Sequence, residues 1–322
     1  MNEIGRKITD KLIEINGSTD FSICFLPYKR SMWNSMESVY QECLNSGIDA
    51  HCVPIPYYRM KHNREIDYID SDFEYFGAIA EPVDVLNTLN PRFCAIHYQY
   101  NNQNNVTNML KEFYTENIKE RYNSEIVMLP YGLALNPIIQ EHSHLAPGLV
   151  SVDYLFCDTE IDRINCINAW KNYGIDYSDR VFAFGSPKID SILKLKRSIP
   201  EEWQQAIGDR WVTLIINSLG PYINDPFKKI EKYGQQIYDH IIQGHAIIFR
   251  PHPLLRTTIK SMRSDTEEAY DQFIQKISKM EHVIIDESEY LERALSAADY
   301  LVCDPASILV MWKATGKPYK VI

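Results

Sequence analysis

Short apolar runs alternate along the chain with stretches of helical periodicity, and most of the runs stop at proline, glycine or asparagine. The spacing of Ile4, Ile8, Leu12 and Ile15 predicts an amphipathic helix over residues 2–15, ended by Asn16-Gly17. The runs at 21–26, 48–55, 93–96, 126–129, 154–158 and 181–184 read as strands, with helices over 33–45 and 161–173. This strand–helix–strand opening predicts a parallel, doubly wound sheet. Residues 57–77 are polar, aromatic and acidic, and read as an irregular excursion. The pattern breaks over 194–209, where Lys194, Lys196 and Arg197 precede Pro200-Glu201-Glu202, and then restarts. Strands are expected at 211–216, 246–249, 283–285 and 299–303, and helices at 226–243, 265–280, 290–298 and from about 308. The expected fold class is therefore α/β, with two doubly wound domains, 1–197 and 198–322, whose strand-end loops face a shared cleft. The last residues, Lys317-Pro318-Tyr319-Lys320-Val321-Ile322, end as a strand that a wound sheet would cover with another helix, so the C-terminal domain reads as cut short at Ile322.

Length supports the division, because 322 residues exceed a comfortable single core. The net charge of −10 argues against a broad nucleic-acid footprint, which needs a basic face. The seven cysteines are scattered, without a paired Cys-x-x-Cys spacing, so reduced, mostly buried thiols are expected rather than a disulfide framework or a zinc site. Charges through the first sixteen residues exclude a signal-peptide core, and no apolar run approaches the roughly 18 residues needed to span a bilayer. A cytoplasmic location is expected. Arg6, Lys7 and Lys11 on the first helix leave peripheral contact with the inner face of the membrane open beside the alternative that this helix packs on its own domain.

The candidate chemistry lies at strand ends. The strand at 246–249 breaks into Arg250-Pro251-His252-Pro253, which sets a guanidinium and an imidazole on a stiff loop. The strand at 299–303 turns through Asp304-Pro305-Ala306-Ser307 into a helix, whose free amides and positive dipole end suit an anion. Together they read as a phosphate cradle, with Arg256 close behind Arg250 and with Asn217-Ser218 ending the strand before. The alternative is that Arg250 pairs with a carboxylate and the loop is only a rigid strand exit. In the first domain, His97 is a pocket base or donor or else a loop histidine, Tyr131 and Gly132 follow a strand into a pocket, and Lys188 reaches a phosphate or is solvated. Asp70-Ser71-Asp72 is a metal pair or a solvated acidic loop. No Gly-rich dinucleotide fingerprint, P-loop or Gly-x-Ser-x-Gly elbow is present, and neither a cofactor nor a catalytic metal is expected.

Arg250-Pro251-His252-Pro253, Asp304-Pro305-Ala306-Ser307 and Gly316-Lys317-Pro318 resemble the bacterial CDP-glycerol glycerophosphotransferase family, which includes teichoic-acid primases and polymerases. Gly185-Ser186-Pro187-Lys188-Ile189-Asp190 is similar to the family's Gly-x-Pro-[Lys/Arg]-x-Asp element, and Leu26-Pro27-Tyr28-Lys29 and Pro54-Ile55-Pro56-Tyr57-Tyr58 resemble an N-terminal region of one branch. The resemblance implies a two-Rossmann-domain, GT-B-type architecture without a catalytic metal triad. It also implies transfer of glycerol phosphate from CDP-glycerol to a hydroxyl of a lipid-linked or polymer acceptor in cell-wall synthesis, with release of CMP. It places Arg250, His252 and Ser307 at the donor diphosphate, with Asp304 at the head of the serine loop. Two departures stand out. The family's His-Gly-Thr element is Tyr131-Gly132-Leu133 here, which leaves His97, His142 or His144 to replace the base, and Ala306 stands where a serine is usual. Two alternatives remain: a GT-B glycosyltransferase using a nucleotide sugar, and a non-catalytic nucleotide-binding module.

Overall fold

The computed structural model describes residues 2–61, 64–78, 80–104, 107–133, 144–253, 255–288 and 290–322. They form two compact units, Met1–Ser191 and Ile192–Ile322.

The first unit contains β1 (Ser22–Phe25), β2 (Asp49–Cys52), β3 (Tyr57–Met60), β4 (Ile66–Asp70), β5 (Phe93–Ile96), β6 (Thr107–Met109), β7 (Glu125–Met128), β8 (Tyr154–Cys157) and β9 (Val181–Ala183). Six of these make a parallel sheet in the order β2-β1-β5-β7-β8-β9. Successive side chains point to opposite faces, so Ile23 and Phe25 join one core while Cys24 and Leu26 join the other. Helix α1 (Glu3–Asn16) buries Gly5, Ile8, Thr9 and Leu12, and packs against α2 (Glu37–Asn45). Its Lys7 and Lys11 pair with Glu3 and Glu14 on the exposed side. Helix α3 (Glu160–Asn172) begins at Thr159, whose Oγ1 accepts from the Asp162 amide at 3.1 Å.

Residues 57–77 depart from the expected irregular excursion. β3 pairs with β4 and β6 in a small antiparallel sheet in which β4 is an edge strand. Ile66, Tyr68 and Ile69 of that edge are exposed, so it carries no buried face for a periodicity to reveal. Asp70 accepts from Arg59 Nε at 2.7 Å and from the Tyr57 hydroxyl at 2.9 Å, and Asp72 accepts from the Arg30 amide at 2.6 Å. These contacts engage the two carboxylates within the protein, in place of the metal alternative.

The second unit contains β10 (Val212–Ile216), β11 (Ala246–Arg250), β12 (Val283–Ile285), β13 (Tyr300–Cys303) and β14 (Tyr319–Val321). They form a parallel sheet in the order β12-β11-β10-β13-β14. Every residue of β11 is buried. Helix α4 (Pro226–Ile242) packs Tyr233 and Ile237 into the core, and α5 (Ser307–Ala314) follows β13. The expected linker at 194–209 holds a helix, Glu201–Ile207, because Trp203 and Ile207 bury one face of it. The seven cysteines are free, and six of them are buried. No helix among the described residues is long and apolar enough to cross a membrane.

Candidate functional site

In the second unit the strand order reverses between β10 and β13, and open α/β sheets bind ligands in the crevice beyond such a point. Three loops leave the sheet there, Asn217-Ser218 from β10, Pro251-His252 from β11 and 304–307 from β13. Asn217 is 1% exposed, and its Oδ1 accepts from the His252 amide at 2.8 Å. Its Nδ2 is buried with no hydrogen-bond partner among the described residues. Buried amide donors are normally paired, and this one is left without an acceptor among the described residues. Helix α5 starts from Ala306, whose side chain makes no capping bond, so the first amides stand beside the exposed Ser307 without a side-chain cap. His252 is half-buried, and burial pulls its imidazole below the usual histidine range, so the ring is neutral near neutral pH.

Three other residues expected at the donor phosphate have carboxylate, amide or ammonium partners within the second unit. Arg250 is 5% exposed; its Nη1 pairs with Asp286, and its Nη2 donates to the Ser288 carbonyl at 2.7 Å. The pair with Asp286 at the β12 exit is the contact that the carboxylate alternative for Arg250 expects. Asp304 is fully buried and accepts from the Ser218 amide at 2.8 Å, the Tyr233 hydroxyl at 2.5 Å and the Lys229 ammonium. These three bonds tie α4 and the β10 exit to the head of the serine loop. Arg256 lies in helix Leu255–Met262 and pairs with Asp271 at 2.8 Å and Glu287 at 3.6 Å, so two carboxylates hold it. Lys229, Tyr233 and Asp286 were not among the expected site residues. Of these, Asp286 alone carried a sequence signal, since it directly follows a strand.

In the first unit the order reverses between β1 and β5, where Tyr28 and His97 leave the sheet. His97 is 1% exposed; its Nε2 accepts from the Tyr28 amide at 3.4 Å, and its Nδ1 lies 3.2 Å from Ser35 Oγ. Burial pulls its pKa down to about 3. Both ring nitrogens thus have partners within the first unit, and His97 joins the β1 exit to Ser35. Tyr131 stands 6.5 Å from the His97 ring, and Lys188 Nζ lies 5.4 Å from the centre of the Tyr131 ring. Asp190, two residues beyond Lys188, accepts from the amides of Ile4 and Gly5 at 3.2 and 2.7 Å and so caps α1. Tyr131 and Gly132 line a cavity of about 260 Å³ that His144 also borders. His142 lies outside the described residues.

No protein-family model and no curated protein matches the chain. Solved structures do match. A UDP-GlcNAc 2-epimerase from Methanocaldococcus jannaschii aligns at 14% identity over 92% of this chain and 82% of its own, with a TM-score of 0.58. A UDP-GlcNAc 2-epimerase from Neisseria meningitidis, bound to UDP-GlcNAc, aligns at 16% identity over 93% and 82%, with a TM-score of 0.57. The wall teichoic acid polymerase TagF aligns at 13% identity over 98% and 73%, with a TM-score of 0.45, and nothing is inferred from it. At these identities the likeness to the epimerases is one of fold, and it gives the chain an α/β fold of parallel, Rossmann-like sheets of the GT-B type.

Proposed function

We propose that the chain is a transferase that binds a nucleoside-diphosphate-activated donor at the β10/β13 crevice of its second unit. The donor is a CDP-activated polyol such as CDP-glycerol, and the product is a polyol phosphate joined to a hydroxyl of a lipid-linked or polymer acceptor, with CMP released. The observation that carries this reading is the unspent buried donor of Asn217, set between His252 and the uncapped start of α5. The motif resemblance narrows the donor to the CDP-activated class. In the transfer, the acceptor oxygen forms a bond to the distal phosphorus, the bridging P–O bond breaks, and its electron pair leaves on CMP. Asn217, Ser218, His252 and the α5 amides beside Ser307 meet that charge, while Arg250 and Asp304 hold the loops in place.

The test is CMP release from CDP-glycerol, with and without a polyol-phosphate lipid acceptor, by the wild type and His252→Ala. Acceptor-dependent CMP is expected, with a loss of roughly 10²–10³-fold in kcat in the variant. Full activity in the variant would remove His252 from its role. A second reading, glycosyl transfer from a nucleotide sugar, takes its donor class from the fold neighbour bound to UDP-GlcNAc. A donor panel separates the two, since glycosyl transfer releases a nucleoside diphosphate.

A further inference from the structure

The small sheet β4-β3-β6 of the first unit ends at β4, and no strand among the described residues pairs with the outer side of that edge. Such an edge presents a row of unpaired backbone donors and acceptors, which monomers commonly blunt with lysine or proline. β4 carries neither. It is open on its faces as well, since Ile66 is 51%, Tyr68 53% and Ile69 58% exposed. A bulge decides where these side chains stand. Tyr58 lies opposite Ile69 and Met60 opposite Ile66, while the ladder shifts at Arg59/Met60 and leaves Asp67 with no residue across from it. Tyr58 and Met60 are two apart on β3 and share a face, so Ile66 and Ile69, three apart on β4, are brought to that same face by the extra residue. Tyr68 lies on the other face with Arg59, whose bond to Asp70 fixes that side.

Charge is ordered along the same stretch. Lys61 and Arg64 precede β4, and Asp70, Asp72 and Glu74 end or follow it, with Lys61, Arg64 and Glu74 exposed. We propose that β4 pairs antiparallel with β4 of a second copy of this chain, about a two-fold axis perpendicular to the sheet, which joins two three-stranded sheets into one of six. The antiparallel order sets the basic start of each strand against the acidic end of the other, so opposite charges meet at both ends, whereas a parallel order would set like against like. The two-fold also keeps each face on its own side, so the Ile66 and Ile69 side chains of both copies fall on one face of the joined sheet. A second copy meets these demands by symmetry, because an isologous contact opposes every residue to its own counterpart order reversed. The contact lies wholly within the first unit and is independent of the donor crevice. A single strand edge is smaller than a standard interface, so the dimer is reversible and depends on concentration.

Sedimentation velocity of the full chain over about a hundred-fold range of concentration should show a monomer–dimer equilibrium. Ile69→Lys charges the exposed edge without touching a buried contact; it should lower the association constant by about ten-fold or more and leave the thermal midpoint of the monomer in place. Lys61→Glu should weaken the dimer by roughly two- to five-fold. Lys61→Glu/Glu74→Lys should restore it, because reversing both ends of each strand forms opposite pairs again. Hydrogen exchange locates the contact, with the amides of 66–69 slowing as concentration rises. A chain that stays monomeric throughout would overturn the proposal. So would a dimer indifferent to Ile69→Lys, or one whose 66–69 amides exchange as fast as in the monomer, since either assigns the contact to another surface. Failure of the double variant to recover would overturn the antiparallel order.

Discussion

Asn217 and Asp304 leave neighbouring strands at the same end of the second sheet, and they face opposite demands. Asp304 holds the half-buried ammonium of Lys229 and two further donors, so removing its carboxylate strands Lys229 and Tyr233. Asp304→Ala is expected to cost about 3–5 kcal/mol, read as a lower urea midpoint for the second unit. Asn217→Ala loses its bond to the His252 amide, which costs about 1 kcal/mol, but it should weaken donor binding by ten-fold or more in a CDP-glycerol titration. Equal destabilisation in the two variants would contradict this split. The sequence made Arg250 and Asp304 legible as polar residues on strand exits. Their partners stand 36 residues away at Asp286, and 75 and 71 residues away at Lys229 and Tyr233, so local spacing did not show that their charges were already taken. Asn217 was legible as a strand end, whereas its spare amide depends on where His252 places its own N–H.

At the scale of elements, the parallel strands were readable because burial on both faces leaves an uninterrupted apolar run, as in β5 and β11. The β3–β4 hairpin was not, because four of the five β4 residues are exposed and its register follows from pairing with β3. The close packing of α1 and α2 was also hidden, since it turns on a glycine amid a regular apolar stripe. A Cβ on Gly5 would stand 2.5 Å from the Ser38 carbonyl oxygen. Gly5→Val should therefore push the helices apart and cost about 1–3 kcal/mol, while Gly47→Ala, on the open side of a turn, should show strain from its φ of 77° but no clash. Thermal denaturation of the two variants checks the order. The Gly-x-Pro-[Lys/Arg]-x-Asp element has a structural use here that its spacing did not disclose, because Asp190 caps a helix 185 residues earlier in the chain.

Across the whole molecule, enclosed histidines contribute to the response to acid. His97 in the first unit is held at about 3, and His240 and His245 in the second are both depressed, chiefly by burial. The last two face each other with their Nδ1 atoms 3.2 Å apart, and both lie within reach of Thr213 Oγ1. Unfolded histidines titrate near 6.5, so below that pH the unfolded chain takes up protons that the folded chain refuses. Stability is therefore flat with respect to these groups above about pH 6.5 and falls as pH drops toward their folded values. Urea unfolding at pH 7.5 and 5.0 should show the loss, and His240→Gln/His245→Gln should reduce it for the second unit. An unchanged pH slope in the double variant would show that the pair is not responsible.

The Asp304 hub has a consequence for any screen of variants. In a saturation library scored by activity, substitutions at 250 and 304 would rank with those at 252 as intolerant, and a map of such scores would draw one continuous catalytic patch. Scoring the same library for abundance in cells would split that patch, since chains altered at 304 would be cleared while those altered at 252 would accumulate as intact but idle protein.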